Sequence, residues 1–408
     1  MIWLVTIGEP VPGLDKNERL MRTFNLGKNL SEKKQKVIWW TNSFNQQNRK
    51  QRINKKDQKD ILINKNFTIK VINTNGYKKS ISISRMIHNL SYSIKLIYFA
   101  KKEKTKPNII ISSYPILESC ISSMYMKSKE TKFVIDIRDL WPDVFKERIK
   151  NRLIINLIDT YYHFFLKKIF SKVDFIISPS KSYIEWSKKY HNRNINEYYL
   201  PLGYDLNAIE EKISKNYLIQ KANIKINSDS LIISFFGRIN SSYFEFLEIF
   251  SVSKKLLLIN KNIKFIICGV GDDYADFKKK YTSKNLFFFG QLNGNEISDL
   301  MKISSIGIAP YKNLDNFNKN IPNKYYEYAS GNLYILTRIE GDSLSFIKNN
   351  NLGELYKDEN ELFNKIIEIE KKFGNKKIVN NNSLKKIYDS KLMNYEFIDY
   401  LISKNYLI

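Results

Sequence analysis

The chain has 408 residues, of which 43% are hydrophobic and 14% aromatic, and 67 Lys and Arg against 41 Asp and Glu give a formal net charge of +26. This length and apolar content predict roughly two globular domains and exclude a disordered chain. The two cysteines lie far apart in sequence, which excludes a disulfide framework, and no apolar run reaches the ~20 residues of a membrane span.

The first half of the chain alternates strand and helix patterns. Short apolar runs predict strands, and a helix and a long polar loop separate the first three of them. The predicted strands are 2–7, 37–41, 67–72, 108–112, 132–136 and 174–178, the helix is 17–30, and the loop extends to about residue 60. This β-α-β alternation predicts a parallel sheet with helices on both faces.

A polar stretch at 205–229 interrupts the pattern, which then begins again. The second set of predicted strands is 231–236, 263–268, 285–288, 306–309 and 333–336. We therefore predict an α/β protein with two doubly wound Rossmann-like domains facing a central cleft. The first domain is 1–204 and the second 205–384, and a helix within 385–408 is expected to pack back on the first.

Two segments of the second half combine an element end with charged residues. A predicted buried strand ends at Gly237 and Arg238, where Gly allows a tight turn and the planar Arg fork suits phosphate oxygens. A helix from Asn323 carries Lys324 and Glu327 in its first two turns. A carboxylate beside a Lys and the positive helix end suits a ligand with hydroxyls and phosphates, such as a nucleotide-sugar. Solvated surface residues are the alternative for both segments.

In the first half, charges concentrate after the strand at 132–136, whose carboxyl end carries Asp136, Arg138 and Asp139. Charged residues at the carboxyl end of a parallel strand indicate a binding site more often than plain surface. An ion pair of Arg138 with either Asp, which would fix the loop, is the alternative.

The loop after the first strand contains Gly8 and Glu9 among several glycines and prolines, a composition that suits a backbone wrapped around a ligand but also an ordinary surface loop. Arg19 and Arg22 follow three residues apart, and we expect them to share a helix face.

Several other chemistries are disfavoured. Gly269 and Gly271 follow a strand, but Tyr274 stands where a dinucleotide fingerprint needs its third Gly. The three His residues lack metal spacing, and no Asp-x-Asp triplet is present to hold a metal on a diphosphate. We expect no cofactor and no metal, so that Arg, Lys and helix ends neutralise a bound diphosphate. Scattered lysines without an aromatic-interleaved stripe also predict no nucleic-acid partner.

Together these segments resemble the bacterial GT-B glycosyltransferases of family 4, a retaining group that builds O-antigen, capsule and other surface polysaccharides. The resemblance covers nearly the whole chain. It is carried by Ile135 to Asp143 with Trp39-Trp40-Thr41 and Gly8-Glu9-Pro10, by Phe236-Gly237-Arg238 as a phosphate loop, and by Pro322 to Gly331 as a donor-binding helix.

The resemblance implies a hexosyltransferase of the EC 2.4 class that moves a sugar from a UDP- or GDP-sugar to a lipid-linked or saccharide acceptor. The residues expected to bind the donor are Gly8, Gly237, Arg238, Asn323, Lys324 and Glu327. Glu327 would bind the ribose hydroxyls, and Arg238 the leaving diphosphate. Arg138, where many members have a His, and Asp139 are expected to be catalytic. The residues expected on the acceptor side are Glu9, Arg19, Arg22 and Asp136.

Two departures from the family pattern concern the phosphate ligands. Tyr243 stands where many relatives have a Lys, and Lys319 replaces the first carboxylate of a paired Glu motif. Lys324 and Lys319 are therefore both candidates for the missing positive charge. A nucleotide-sugar 2-epimerase, which uses the same fold without an acceptor, stays open as an alternative function, with a basic nucleic-acid-binding protein as a remote one.

The helix predicted at 151–172 is rich in apolar and aromatic residues and carries basic residues at both ends, among them Lys167 and Lys168. It fits either a core helix of the first domain or an interfacial helix on an anionic membrane surface. Because acceptors in the family are commonly lipid-linked, we expect a cytoplasmic protein, peripheral to the inner face of the cytoplasmic membrane.

Overall fold

Each half of the chain is built on its own β-sheet. The computed structural model describes residues 1–15, 20–54, 58–79, 82–147, 149–204, 230–259, 261–379, 384 and 387–407. The chain divides into two compact units, of which unit 1 comprises Met1–Pro201 with Lys391–Ile408 and unit 2 comprises Leu202–Ser390. The predicted polar stretch at 205–229 lies outside the described residues.

Unit 1 alternates strands and helices along its first 201 residues. In chain order its described elements are β1 (Ile2–Val5), α1 (Arg22–Glu32), β2 (Val37–Asn42), β3 (Phe44–Asn45), β4 (Lys50–Gln51), β5 (Gln58–Asn64), β6 (Phe67–Ile72), α2 (Ile83–Lys102), β7 (Ile109–Tyr114), α3 (Leu117–Met126), β8 (Lys132–Ile137), α4 (Asp143–Lys146), α5 (Arg152–Phe170), β9 (Phe175–Ser178), α6 (Lys181–Ser187), a short 3-10 helix (Lys188–Tyr190) and β10 (Asn196–Tyr199).

The main sheet of unit 1 has the strand order β10-β9-β8-β7-β1-β2-β6-β5, and β3 pairs separately with β4. The chain order reverses at β1, which pairs in parallel with both β2 and β7. Strands β1, β2, β7 and β9 are buried throughout, as expected for a parallel sheet covered on both faces.

The expectation of a wholly parallel sheet is wrong at one edge. Strand β5 runs antiparallel to β6, and it lies within a segment that was partly predicted as loop. Its alternation of exposed and half-buried residues is that of an edge strand, which needs only a tight turn to reach its neighbour. Short apolar runs identify buried strands, so this amphipathic strand was missed.

Helix α1 begins later than predicted, because Leu20 and Met21 are not helical and the helix starts at Arg22. The Glu9 carboxylate accepts a hydrogen bond from the Thr23 backbone N–H at 3.0 Å and so caps the helix from the preceding loop. A carboxylate is favourable at this positive helix end. Arg19, predicted to share a helix face with Arg22, lies outside the described residues.

Helices α2, α3 and α5 form one layer of unit 1. Helix α3 packs against both α2 and α5 and against β7 and β8. The apolar core beneath this layer includes Trp3 and Trp40 from the sheet, Tyr92 and Leu96 from α2, and Leu166 from α5.

Unit 2 repeats the alternation with a smaller sheet. Its described elements are β11 (Leu231–Phe236), α7 (Phe246–Leu258), β12 (Ile263–Cys268), α8 (Tyr274–Tyr281), β13 (Leu286–Gly290), α9 (Gly294–Ile303), β14 (Ile306–Ala309), α10 (Asp315–Asn318), α11 (Asn323–Ser330), β15 (Tyr334–Thr337), α12 (Gly341–Asn349), β16 (Gly353–Leu355) and α13 (Glu359–Phe373). All strands of the sheet are parallel, in the order β13-β12-β11-β14-β15-β16. The order therefore reverses between β11 and β14.

The last helix, α14 (Ser390–Ser403), belongs largely to unit 1. Phe397 and Tyr400 pack on the ring of Phe175 in β9, and Lys33 after α1 pairs with Asp399 at 3.0 Å. The helix is shorter than the predicted segment, since Lys404 to Leu407 are not helical. Within the described ranges, no helix is long and apolar enough to cross a membrane.

Candidate functional site

The carboxyl edge of the unit 2 sheet gathers the residues predicted to bind a donor. Gly237 and Arg238 directly follow β11, and helix α11 follows β14, the neighbour of β11 in the sheet. Ligands of doubly wound sheets bind at such a reversal of strand order, at the carboxyl ends of the strands. Five of the predicted residues, Gly237, Arg238, Asn323, Lys324 and Glu327, therefore lie on two adjacent connections.

The loop after β11 is held closely against the loop after β12. Gly237 donates its backbone N–H to the Cys268 carbonyl at 3.0 Å, and Ile239 donates to the Val270 carbonyl at 3.1 Å. A Cβ on Gly269, where φ is +129°, would lie 1.8 Å from the Gly237 oxygen. Only glycine allows this approach. Gly269 thus allows the loops after β11 and β12 to lie against each other, a role that does not require the dinucleotide fingerprint.

Arg238 extends from this loop toward solvent, with 61% of its side chain exposed. Its Nη2 pairs with the Asp272 carboxylate at 3.1 Å, and Asn240 donates to the same carboxylate at 2.7 Å. An ion pair this exposed contributes little to the stability of the fold. Exchanging Asp272 for another anion, such as a phosphate group that binds the guanidinium through two oxygens, would therefore cost little. Asp272 was not anticipated, because it is close to Arg238 in space but 34 residues away in sequence.

Lys324 is buried beneath the same loop. Its Nζ donates a hydrogen bond to the Phe236 carbonyl and lies 3.9 Å from the centroid of the Phe235 ring. A Cβ added to Gly237 would stand only 2.7 Å from this nitrogen. No ion pair joins Lys324 to any carboxylate of the described part of the chain. Burial lowers the pKa of Lys324 to about 7, an effect that the charge of Glu327 only partly offsets.

Helix α11 has two distinct faces, because residues four apart lie above one another. Lys324 and Tyr328 share the buried face, where the Tyr328 hydroxyl accepts from the Phe236 N–H at 3.3 Å and donates to the Ile308 carbonyl at 2.9 Å. Asn323, which is exposed, and Glu327, which is half-buried, share the other face. The tyrosine thus fixes the helix so that its amide and carboxylate stay at the outer side of the edge.

The two departures from the family pattern have local partners. Tyr243 packs its ring on Phe317, with centroids 6.0 Å apart. Lys319 Nζ forms an ion pair with Asp315 at 2.6 Å. Of the two lysines considered as replacements for the missing charge, Lys324 is therefore the one directly under the loop after β11.

Unit 1 brings four predicted residues into one hydrogen-bonded cluster at the carboxyl edge of its sheet. The fully buried Asp136 at the end of β8 accepts from Arg22 Nε at 3.0 Å and from Arg138 Nε at 2.7 Å. Arg138 also pairs with the buried Glu9. Burial alone would raise the pKa of Asp136, but the charges of Arg138 and Arg22 outweigh it and hold that pKa below its usual value.

Further contacts close this cluster. Arg138 Nη2 donates to the Thr23 hydroxyl at 3.0 Å, and the same hydroxyl donates to Glu9 at 2.7 Å. Arg22 Nη1 donates to the Leu200 carbonyl at 2.8 Å. Thr23 also belongs to this cluster, although a Thr within a helix gives no signal in the sequence that it joins two charged side chains. Of the two ion pairs considered for Arg138, with Asp136 or with Asp139, the structure contains the pair with Asp136.

The neighbouring predicted residues serve their own loops. The Asp139 carboxylate accepts from the Leu140 backbone N–H at 2.9 Å and from Trp141 Nε1 at 3.1 Å, which fixes the segment after β8. Gly8 lies in the loop after β1, and its carbonyl accepts a hydrogen bond from Gln46 at 3.1 Å.

In the part of the chain that the structure describes, no group of three or more His, Cys, Asp or Glu side chains is placed to hold a metal ion.

Comparisons with known proteins identify the fold. No family model matches the chain, and no curated protein matches it. Solved structures do. The sucrose-phosphate synthase of Thermosynechococcus elongatus is 13% identical with a TM-score of 0.71, covering 98% of this chain and 98% of its own. A trehalose-6-phosphate protein from E. coli, bound with UDP-2-fluoro glucose, is 11% identical with a TM-score of 0.69, covering 98% and 99%.

A third similar structure is WaaG, a glycosyltransferase involved in lipopolysaccharide biosynthesis, which is 13% identical with a TM-score of 0.60 and covers 97% of this chain and 95% of its own. These matches extend over nearly the whole chain, and they confirm the predicted α/β class with Rossmann-like parallel sheets and the GT-B fold.

Proposed function

We propose that the chain is a retaining glycosyltransferase of family 4, which transfers a hexosyl residue from a UDP- or GDP-sugar to a lipid-linked or saccharide acceptor during synthesis of a surface polysaccharide. The proposal depends mainly on two positive charges at the carboxyl edge of the unit 2 sheet. Lys324 is buried under Gly237, and the next residue, Arg238, extends into solvent. A diphosphate is the ligand that compensates both charges. The fold shared with a UDP-2-fluoro glucose complex supports the same donor class.

The donor is proposed to lie along the outer face of α11. Glu327 accepts hydrogen bonds from the ribose hydroxyls, Asn323 contacts the donor near the helix start, and Arg238 exchanges Asp272 for the diphosphate. Lys324 acts from below the loop as a buried positive charge. Gly8 is the unit 1 residue that we propose to contact the same donor.

In the proposed transfer reaction, the main contribution of the protein is positive charge that stabilises the leaving diphosphate. The bond between the anomeric carbon and the diphosphate oxygen breaks, and the acceptor oxygen bonds to that carbon on the same face. The acceptor proton passes to the departing diphosphate, whose charge Arg238 and Lys324 stabilise. The anomeric configuration is thereby retained, and no protein nucleophile is assigned.

In unit 1 the proposal assigns the acceptor side to the cluster of Glu9, Arg22, Asp136 and Arg138. Because Arg138 is held by Asp136, Glu9 and Thr23, and Asp139 by its own loop, their contacts favour positioning roles over direct contact with reacting atoms. The prediction that either residue is catalytic stays a prediction, as does the contribution of Arg19. A location at the cytoplasmic membrane surface belongs to the proposal through the lipid-linked acceptor.

Nucleotide binding tests the donor site. UDP or GDP should raise the melting temperature of the wild type clearly more than that of Glu327→Ala, because a ligand that binds only the folded state stabilises it. Glu368→Ala, an exposed change on α13 of the same unit, is the matched control and should respond like the wild type. Equal shifts in all three proteins would show that the ribose is held elsewhere.

Product analysis tests the reaction. The wild type with a suitable donor and acceptor should give a product whose anomeric configuration by NMR equals that of the donor. An inverted product would contradict the retaining mechanism. Turnover of the donor to its 2-epimer without any acceptor would favour the epimerase.

A further inference from the structure

Helix α2 exposes most of its large apolar residues to solvent, whereas a helix that only packs on a sheet would bury them. Its outward stripe consists of large apolar residues, each between 54% and 76% exposed: Ile83, Met86, Ile87, Leu90, Ile94 and Tyr98. Its buried residues are more polar: His88, Asn89, Tyr92, Ser93, Leu96 and Ala100. A surface helix normally turns its apolar stripe to the core.

Hydrogen bonds on the buried side fix this orientation. His88 Nε2 lies 2.8 Å from Asn42 Nδ2, and the Tyr92 hydroxyl donates to the Trp40 carbonyl at 3.0 Å. Rotating α2 to bury the stripe would break these bonds and leave buried polar groups unsatisfied, which is costly. The outward stripe is therefore a stable feature of unit 1.

Helix α5 presents a second stripe in the same layer. Only residues near its carboxyl end are buried, among them Leu166, Ile169 and Phe170. Its outward residues are between 42% and 75% exposed: Leu153, Ile154, Leu157, Tyr161 and Phe164. Helix α5 therefore combines a buried carboxyl end, as in a core helix, with an exposed apolar length, as in an interfacial helix.

The two stripes lie on either side of α3, which packs against both helices and exposes 72% of Tyr125. Eleven of the twenty-one exposed large hydrophobic residues in the described ranges belong to α2 and α5. Contiguous apolar surface of this kind marks an interaction site on a protein. We use the term docking face for the outward apolar residues of α2 and α5.

The charge of the two helices identifies the partner. They contain seven basic residues and one acidic residue, Asp159, which forms an ion pair with Lys146 at 3.0 Å. Lys101 and Lys102 end α2, and Lys167 and Lys168 end α5. A second copy of the chain would bring like charges together, whereas an anionic lipid bilayer offers both hydrocarbon for the stripes and headgroups for the lysines.

We propose that the docking face binds the surface of a bilayer containing anionic lipid, with α2 as the larger of two apolar contacts. The stripes enter the boundary between headgroups and acyl chains, and the terminal lysines contact the headgroups. The docking face adds a binding surface to the membrane location given in the proposed function. Only the reason for binding a membrane, access to a lipid-linked acceptor, rests on that function. Vesicle binding needs neither donor nor acceptor, so it succeeds or fails independently of nucleotide binding.

Vesicle cosedimentation of the full chain tests the docking face. Wild type should bind vesicles of phosphatidylcholine with phosphatidylglycerol, and the triple change Ile87→Ser, Leu90→Ser and Ile94→Ser should reduce binding roughly tenfold or more, because three apolar side chains no longer enter the bilayer. The matched control changes Leu247, Leu258 and Ile259 of unit 2 to Ser; these are 56%, 75% and 51% exposed, and binding should not change.

The electrostatic contribution is tested by Lys167→Glu with Lys168→Glu, which should weaken binding at low salt and have less effect at high salt. The α2 variant must keep the wild-type denaturant unfolding curve, which shows that it is folded. Equal binding of the α2 variant and the wild type, or no wild-type binding to anionic vesicles at low salt, would overturn the proposal. So would a wild-type dimer in sedimentation that the same triple change dissociates, since the face would then bind a second copy.

Discussion

At the carboxyl edge of the first sheet, the charges of Arg22 and Arg138 are compensated by Asp136 and Glu9, all within unit 1. At the carboxyl edge of the second sheet, Lys324 is also buried, but it meets a backbone carbonyl and an aromatic ring instead of a carboxylate. Among the described residues, the side-chain partner of Arg238 is Asp272, which is itself exposed.

The difference separates charge that is compensated within the fold from charge that is available to a ligand. Buried charges that compensate one another stabilise their surroundings and gain nothing from an added anion. A buried cation without a carboxylate is unfavourable until a ligand supplies the negative charge. The comparison therefore predicts that changes in unit 1 affect folding first, whereas changes in unit 2 affect binding first.

The largest expected effect is on the stability of unit 1. Asp136→Ala leaves two partly buried guanidinium groups without their shared, fully buried carboxylate, and the free energy of unfolding should fall by about 3–5 kcal/mol. Denaturant unfolding measures it. The control is Asp159→Ala, which removes an exposed ion pair and should cost less than about 1 kcal/mol. If both variants lose the same amount, the cluster is not a structural unit.

In unit 2 the effect should appear in transfer and not in folding. Glu327→Ala and Arg238→Ala each remove a charge-assisted hydrogen bond to the donor, which should cost on the order of 2–3 kcal/mol, or roughly 30- to 150-fold in kcat/KM. Their unfolding curves should match the wild type. Lys348→Ala, an exposed change in α12, provides the control for loss of a positive charge. Wild-type transfer rates in both variants would remove these residues from the site.

The pH dependence of nucleotide binding tests Lys324 directly. Its pKa is lowered to about 7, so the free protein loses this charge as pH rises through 7, whereas a bound diphosphate favours the protonated lysine. UDP affinity should therefore fall between pH 7 and 9, by up to about tenfold per pH unit, with proton uptake on binding. Calorimetry in buffers of different ionisation enthalpy measures the uptake.

Lys324→Met is the matched variant for this measurement, because it keeps the length of the side chain without the charge. It should bind UDP weakly and without proton uptake. The same pH slope in Lys324→Met and wild type would assign the titration to another group.

The smallest expected effect is that of chelation. Because Arg238 and Lys324 supply positive charge where the diphosphate is proposed to bind, EDTA should leave transfer activity unchanged. Loss of activity on chelation, with recovery on adding manganese or magnesium, would mean that the two basic residues do not suffice for the diphosphate.

Much of the fold was predictable because it depends on local pattern. The strands that begin at Phe67, Leu231, Ile263 and Ile306 have the predicted bounds, since short runs rich in apolar residues bury those residues in a sheet. The β5 strand was missed because its alternating residues form an edge, and the start of α1 depends on a cap from Glu9, thirteen residues upstream of Arg22.

The candidate site was predictable only as a set of residue types at strand and helix ends. Glycine after β11 and a carboxylate in the second turn of α11 follow from the order of residues along the chain. The order of residues does not show that Arg238 pairs with Asp272. Nor does it show that Arg138 pairs with Glu9, which is 129 positions away in sequence. Such contacts form between loops that the sheet order brings together, and a single sequence carries no record of which loops meet.

By itself, the sequence of this protein determined the succession of strands and helices and the chemistry available at their ends, because hydrophobic periodicity and glycine positions act over a few residues. Only the tertiary structure decided that Lys324 is buried and Arg238 exposed, and that α2 turns its apolar stripe outward. Burial depends on what packs above a residue, and for Lys324 those neighbours are aromatic rings from other elements, Phe235 and Phe244. That arrangement separates a buried cation from an ordinary surface lysine.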